Sequence, residues 1–215
     1  MAAGYFTKQA DQISSRYLND VNDAAQGGAI VSLPSGITGP AVSATQPGDR
    51  ICLDDITALA LSDTVGTGTL WGGIYTYTQV LSTAIAAPAI GTAAFYRATD
   101  IGGTAGINYG VTSDANPSTA IPTFFAGVFI SAAVKGNYCW IQTQGVANCL
   151  FDSGVTAAAN GSWVTAKVSA SVASTFDVGA VAGVVTLAAV VGVAIGLPVV
   201  STLSKVGISR FMNRI

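Results

Sequence analysis

Gly136-Asn137-Tyr138-Cys139-Trp140-Ile141-Gln142-Thr143-Gln144-Gly145-Val146-Ala147-Asn148 is the stretch on which the fold turns. In an extended chain successive side chains point to opposite faces. Tyr138, Trp140, Gln142 and Gln144 then share one face, while Cys139, Ile141 and Thr143 take the other. One sheet can bury both sides of such a strand. Gly145 permits a bend or a bulge at its end.

Upstream, residues 70–81 repeat the logic. Trp71, Tyr75 and Tyr77 are large anchors, and the tyrosines alternate with Thr76 and Thr78, which predicts a sheet with two different faces. Arg50-Ile51-Cys52-Leu53 reads as a strand leading into Asp54-Asp55, with another strand candidate at 56–61 and a flexible Gly66-Thr67-Gly68 link. Residues 84–94 are Ala-rich, but Pro88 and Gly91 argue against a continuous helix; Phe95-Tyr96-Arg97 starts a further strand. Residues 29–33 also read as a strand. Pro34-Ser35-Gly36, Gly39-Pro40, Gln46-Pro47-Gly48-Asp49, Gly102-Gly103 and Ser113-Asp114-Ala115-Asn116-Pro117 mark turns and loops.

Composition agrees with an all-β chain. Half of the 215 residues are hydrophobic and 9% are charged, against roughly 25% charged in an ordinary soluble domain. Ala, Gly, Ser and Thr must therefore form much of the surface, which suits burial against other subunits. Every acidic residue is Asp, so the Glu–Lys pairs of long surface helices are missing, whereas Val, Thr, Ile and Tyr fit pleated strands. The expected architecture is a β-sandwich or barrel of short antiparallel strands over 25–215, as one domain or as two subdomains divided near 105–117. A net charge of −2 without a basic run leaves nucleic acid without its main electrostatic attraction.

Residues 178–204 carry no charge and exceed the roughly 20 apolar residues that span a bilayer as a helix. Gly179 with Gly183, and Gly192 with Gly196, sit at a spacing that lets membrane helices approach closely. The same run is rich in Val and Gly, is cut by Pro198 and lacks a Trp or Tyr belt. Val184-Val185-Thr186-Leu187 and Val190-Val191-Gly192-Val193-Ala194-Ile195 read equally as buried strands, with Gly196-Leu197-Pro198 as a turn. Core strands and a membrane helix over 178–200 both stay open on periodicity.

Residues 1–24 concentrate charge in Lys8, Asp11, Arg16, Asp20 and Asp23, with Tyr5, Phe6, Ile13 and Tyr17 near helical spacing. They read as an N-terminal arm containing a short helix that stops near Gly27-Gly28. No secretory leader is recognisable at the N-terminus, so reduced, buried thiols are expected for Cys52, Cys139 and Cys149. The alternative is that Cys139 and Cys149 face each other across a hairpin.

Chemistry is sparse. The chain has no His, which removes Ser-His-Asp and Cys-His catalysis and imidazole proton shuttles. No CxxC pair is present for structural zinc. Asp54 and Asp55 are adjacent, and in an extended segment they would point to opposite faces and read as solvated loop carboxylates. No phosphate-binding loop occurs, and Asn160-Gly161-Ser162, although it fits a glycosylation sequon, reads as an Asn-Gly hairpin turn. No catalytic, metal or cofactor residue is expected.

Phe125-Ala126-Gly127-Val128-Phe129, the stretch quoted first, Gly192-Val193-Ala194-Ile195-Gly196 and Leu203-Ser204-Lys205-Val206 together resemble tailed-phage capsid decoration (head cement) proteins. The likeness covers the second half, residues 106–209. The resemblance implies a β-barrel or sandwich on the outer capsid surface, made in the host cytoplasm, that cements adjacent major capsid proteins and stabilises the shell as a homotrimer. Candidate contacts to capsid or to other subunits are Tyr5, Phe6, Arg16, Tyr17, Trp140 and Trp163. Two other roles compete: a membrane-anchored virion protein and a fibre or host-attachment module.

Overall fold

The alternating aromatic stretches become the two central strands of the chain. In a computed structural model the described residues are 48, 50–56, 58–59, 70–81, 84, 86–97, 110–113, 123–153, 159–167, 173–178, 190–199 and 201–209. They form ten strands: β1 (Arg50–Leu53), β2 (Gly73–Val80), β3 (Ala93–Arg97), β4 (Gly110–Thr112), β5 (Thr123–Phe129), β6 (Tyr138–Leu150), β7 (Trp163–Ala166), β8 (Phe176–Val178), β9 (Val190–Ala194) and β10 (Leu203–Ile208). The chain is all-β. The arm over 1–24 and the strand expected at 29–33 lie outside the described residues.

Strand order is β1-β2-β4-β3-β5-β6-β10-β9-β7-β8, and β2 pairs with β6 as well as with β4. That extra pairing closes β2, β4, β3, β5 and β6 into a five-stranded barrel. Inside it, Val80, Val111, Ala94, Ala126, Phe129, Cys139 and Ile141 pack together. The alternation is read directly: Cys139 and Ile141 point into the barrel, while Tyr138 and Trp140 point out, onto Tyr75, Tyr77, Leu53 and Leu70. Both faces of β6 are thus covered, as its sequence requires. Threonines on the inner face satisfy their hydroxyls locally, with Thr78 Oγ1 donating to the Cys139 carbonyl at 3.2 Å and Thr143 Oγ1 to the Ile74 carbonyl at 3.1 Å.

β6 does not end at Gly145. It continues to Leu150 and leaves the barrel to pair with β10 from Gly145↔Ile208 to Leu150↔Leu203. The change of partner is made at a bulge: β2 and β6 lose register at Ile74/Tyr75, and Gly145 takes φ 103°. A Cβ there would collide with the Gly72 carbonyl oxygen, so the bend demands glycine on two counts. Gln142, 2% exposed, bridges the bend by donating from Nε2 to the Val146 carbonyl at 2.8 Å.

Beyond the bend, β10, β9, β7 and β8 curl away, and a bridge between Phe151 and Phe176 returns β8 to the end of β6. This second layer packs on the outer face of β3 and β5. Ala93, Phe95 and Val128 meet Cys149, Phe151, Phe176, Val191, Val206 and Ile208 in one core. β3 is the dividing wall, with Ala94 in the barrel and Ala93 and Phe95 in the second core.

Several expectations need correction. The β2–β4 pair is parallel, Gln79↔Gly110 and Val80↔Val111, so the sheet is mixed. No strand runs from Ile56: Asp55, Ile56, Ala58 and Leu59 form a single helical turn, in which Ala58 N–H donates to the Asp54 carbonyl at 2.9 Å. An Asp ahead of an apolar segment favours a helical start. A continuous helix over 178–200 is incompatible with β8 and β9, and no helix among the described residues is long and apolar enough to cross a membrane. Cys139 and Cys149 do not face each other across a hairpin; they lie on the same strand and enter different cores.

Candidate interaction surface

Titratable groups do not converge among the described residues. No group of three or more Cys or Asp side chains there could hold a metal. Asp54 and Asp55 are both exposed. Asp55 Oδ1 accepts the Gly72 N–H at 2.7 Å, so this carboxylate fastens the helical turn to the start of β2. The extended geometry expected for the pair is replaced by the turn. Tyr75 is buried below them; its hydroxyl donates to the Trp71 carbonyl at 2.5 Å, and burial holds its pKa well above the usual tyrosine value. Lys167 pairs with Asp152 in the open, and that hydrogen bond raises the lysine's pKa. A hollow lined by Leu70, Ile90, Phe129, Ile130, Gln142 and Asn148 has room for about one water molecule.

The surface is distinctive instead for large apolar side chains. Trp163 is 50% exposed, Leu197 70%, Val199 55%, Ile195 45% and Leu203 41%. They surround the end of β9 and the starts of β7 and β10. Trp163 pairs with Val193 across β7–β9, and Ile195 N–H donates to the Lys205 carbonyl at 2.9 Å. Inward positions of the same strands, Val164, Ala194 and Val206, are buried, so alternation sends their neighbours Trp163, Val193 and Lys205 outward; Val191 is buried as well, at the point where the register between β7 and β9 shifts.

The connection from β9 to β10 is fastened along its length. Gly196 N–H donates to Asn160 Oδ1 at 3.0 Å, Val199 N–H to Ser204 Oγ at 3.0 Å, and Thr202 Oγ1 to the Val199 carbonyl at 2.9 Å. Asn160-Gly161 is a tight turn, with Ser162 N–H donating to the Ala159 carbonyl at 3.1 Å. Gly161 takes φ 84°, while Asn160 has a negative φ, which is the type II rather than the hairpin pattern. In keeping with that, β7 pairs with β8 and β9. The turn buttresses the apolar rim through Gly161 N–H to the Ala194 carbonyl, 2.9 Å.

Lys205 lies two residues along β10 from the rim's Leu203. Its Nζ sits 3.7 Å from the centroid of the Trp71 ring, and Trp71 Nε1 donates to Asn148 Oδ1 at 3.2 Å. A smaller apolar patch, Ile56 at 83% and Leu59 at 55% exposed, stands on the helical turn beside Asp54 and Asp55.

Of the residues anticipated as contacts, Tyr5, Phe6, Arg16 and Tyr17 lie outside the described residues. Trp163 is on the rim. Trp140 is 1% exposed and tilts against Tyr77 with ring centroids 5.2 Å apart, so its side chain is enclosed by its own chain and offers a partner no surface. Ile195, Leu197, Val199 and Leu203 were missed as surface residues; the Gly196-Leu197-Pro198 turn signal was the one hint that their apolar run leaves the core. Comparison of the chain with family models, with curated proteins and with solved structures gives no match in any of the three.

Proposed function

We propose that this chain is a non-enzymatic structural protein of a virus particle, bound to the outside of a tailed-phage capsid as a decoration or cement protein. The observation that carries this reading is the contrast on its described surface: apolar side chains form a fixed, exposed rim, while the carboxylates and lysines among the described residues are scattered. A protein that works by adhesion needs the first and not the second. Low charge, a two-core β-scaffold and a charged N-terminal segment fit a role in which many weak contacts are repeated over a lattice, so that multivalency replaces one strong site. In this reading the chain touches the major capsid protein and other copies of itself, the trimer following from the family resemblance.

The test uses capsids of the parent phage assembled without this protein. Mixed with the purified full chain and sedimented, they are expected to carry it saturably and to disrupt at a higher temperature than bare shells. Capsids that sediment without the chain at saturating concentration would refute the proposal.

A further inference from the structure

We infer that the rim of Trp163, Ile195, Leu197, Val199 and Leu203 is the face through which copies of this chain join one another. This rests on the adhesive reading above and assigns the rim to one occupant, a second copy. Three observations carry it.

The first is area. The exposures of the five side chains amount to roughly 500 Å² of surface per copy, more than half of the ~800 Å² per partner that a stable interface buries. It includes a half-exposed Trp, a residue type often dominant in binding energy. The second is charge. Where copies meet around a symmetry axis, the residues nearest that axis face their own counterparts, so charge there is repulsive and an uncharged face suits self-association. Residues 178–204 contain no charged side chain, and Lys205 is drawn over Trp71. The Ile56–Leu59 patch lacks this property, because self-pairing there would crowd the exposed Asp54 and Asp55 of both copies. The third is rigidity. The hydrogen bonds from Gly196 to Asn160 and from Val199 to Ser204 hold the backbone that carries Leu197 and Val199 before any partner arrives, which reduces the ordering cost of association.

The experiment is sedimentation velocity of the full chain from roughly 1 to 100 µM, a range that brackets ordinary micromolar assembly. The wild-type chain is expected to sediment as a multiple of 21.6 kDa. The double variant Trp163→Ser/Leu197→Ser is expected to sediment as a monomer, its association weakened at least ~100-fold, with an unchanged circular dichroism spectrum. Ile56→Ser/Leu59→Ser, on the other patch, is expected to assemble as the wild type does. A wild-type chain that is monomeric throughout, as it would be if the rim served another partner, overturns the inference. So does a folded Trp163→Ser/Leu197→Ser chain that still assembles. An assembled chain that fails to bind capsids removes the cement role and leaves this inference standing.

Discussion

The two buried thiols on β6 give the sharpest check on the two-core architecture. Cys139 projects into the barrel and Cys149 into the second core, and both are fully buried, whereas Cys52 on β1 is exposed. Burial pushes the Cys139 thiol up from 9.0 to about 12, with a hydrogen bond to Thr78 opposing the shift, and burial holds Cys149 well above 9.0. The thiolate is the reactive form, and a shift from 9.0 to about 12 lowers its population at pH 8 roughly 1,000-fold. In a colorimetric thiol titration the native chain should therefore release one equivalent quickly, from Cys52, and the other two only on denaturation. The same shift fixes a pH dependence. Above pH 9 the unfolded thiols lose their protons while the folded ones keep them, so the folded state binds more protons and stability falls as pH rises. Cys139 contributes about 1.4 kcal/mol of loss per pH unit between its unfolded and folded values. It alone makes the chain about 1.4 kcal/mol less stable at pH 10 than at pH 7, a fall in Tm of about 3–6 °C for a chain of this size, and Cys149 acts in the same direction. Three thiols reacting together in the native chain, or a melting temperature flat from pH 7 to 10, would refute the placement of these side chains.

Trp140→Ala empties the space between Tyr77 and Leu70 and should cost about 3–5 kcal/mol in a urea titration, whereas Trp163→Ser should change stability by less than about 1 kcal/mol because its ring is half exposed. Gly145→Ala must place a Cβ against the Gly72 carbonyl at a left-handed φ; a loss of at least about 2 kcal/mol is expected from the midpoint of unfolding. Asn160→Ala removes the acceptor of the Gly196 N–H and should cost about 0.5–1.5 kcal/mol, with hydrogen exchange accelerating at Gly196 and Val199 but not at Val206 in the core.

Sequence reading succeeded where the signal is local. The Tyr-Thr alternation of β2 and the two-faced order of β6 are properties of the strands themselves, and the bend at Gly145 follows from a residue without a Cβ. It failed where the outcome depends on a distant partner. Gly110–Thr112 has too few residues to show a period; it becomes a strand because the edges of β2 and β3 are open beside it. The continuation of β6 past Gly145 was likewise hidden, since Val146 and Asn148 are ordinary outward positions until β10 lies alongside. The helical turn at Asp55 is a miss of the same kind: the apolar residues from Ile56 onward suggest a strand, and a single turn is too short to show a helical period.

The same division explains the rim. Hydropathy treats Val190, Val191, Leu197 and Val199 alike, yet the first two are buried and the last two exposed. What separates them is the ladder: β9 is paired with β7 as far as Val193 and with β10 as far as Ala194, with Val206 opposite it, and regular pairing stops there. Past that point Gly196 at φ 95° and Pro198 turn the chain outward, and among the described residues no layer covers the apolar side chains that follow. Serine or lysine at these positions would keep the turn and its backbone hydrogen bonds while improving contact with water. The fold alone therefore gives no reason for Leu197 and Val199, and a face that meets another protein surface does.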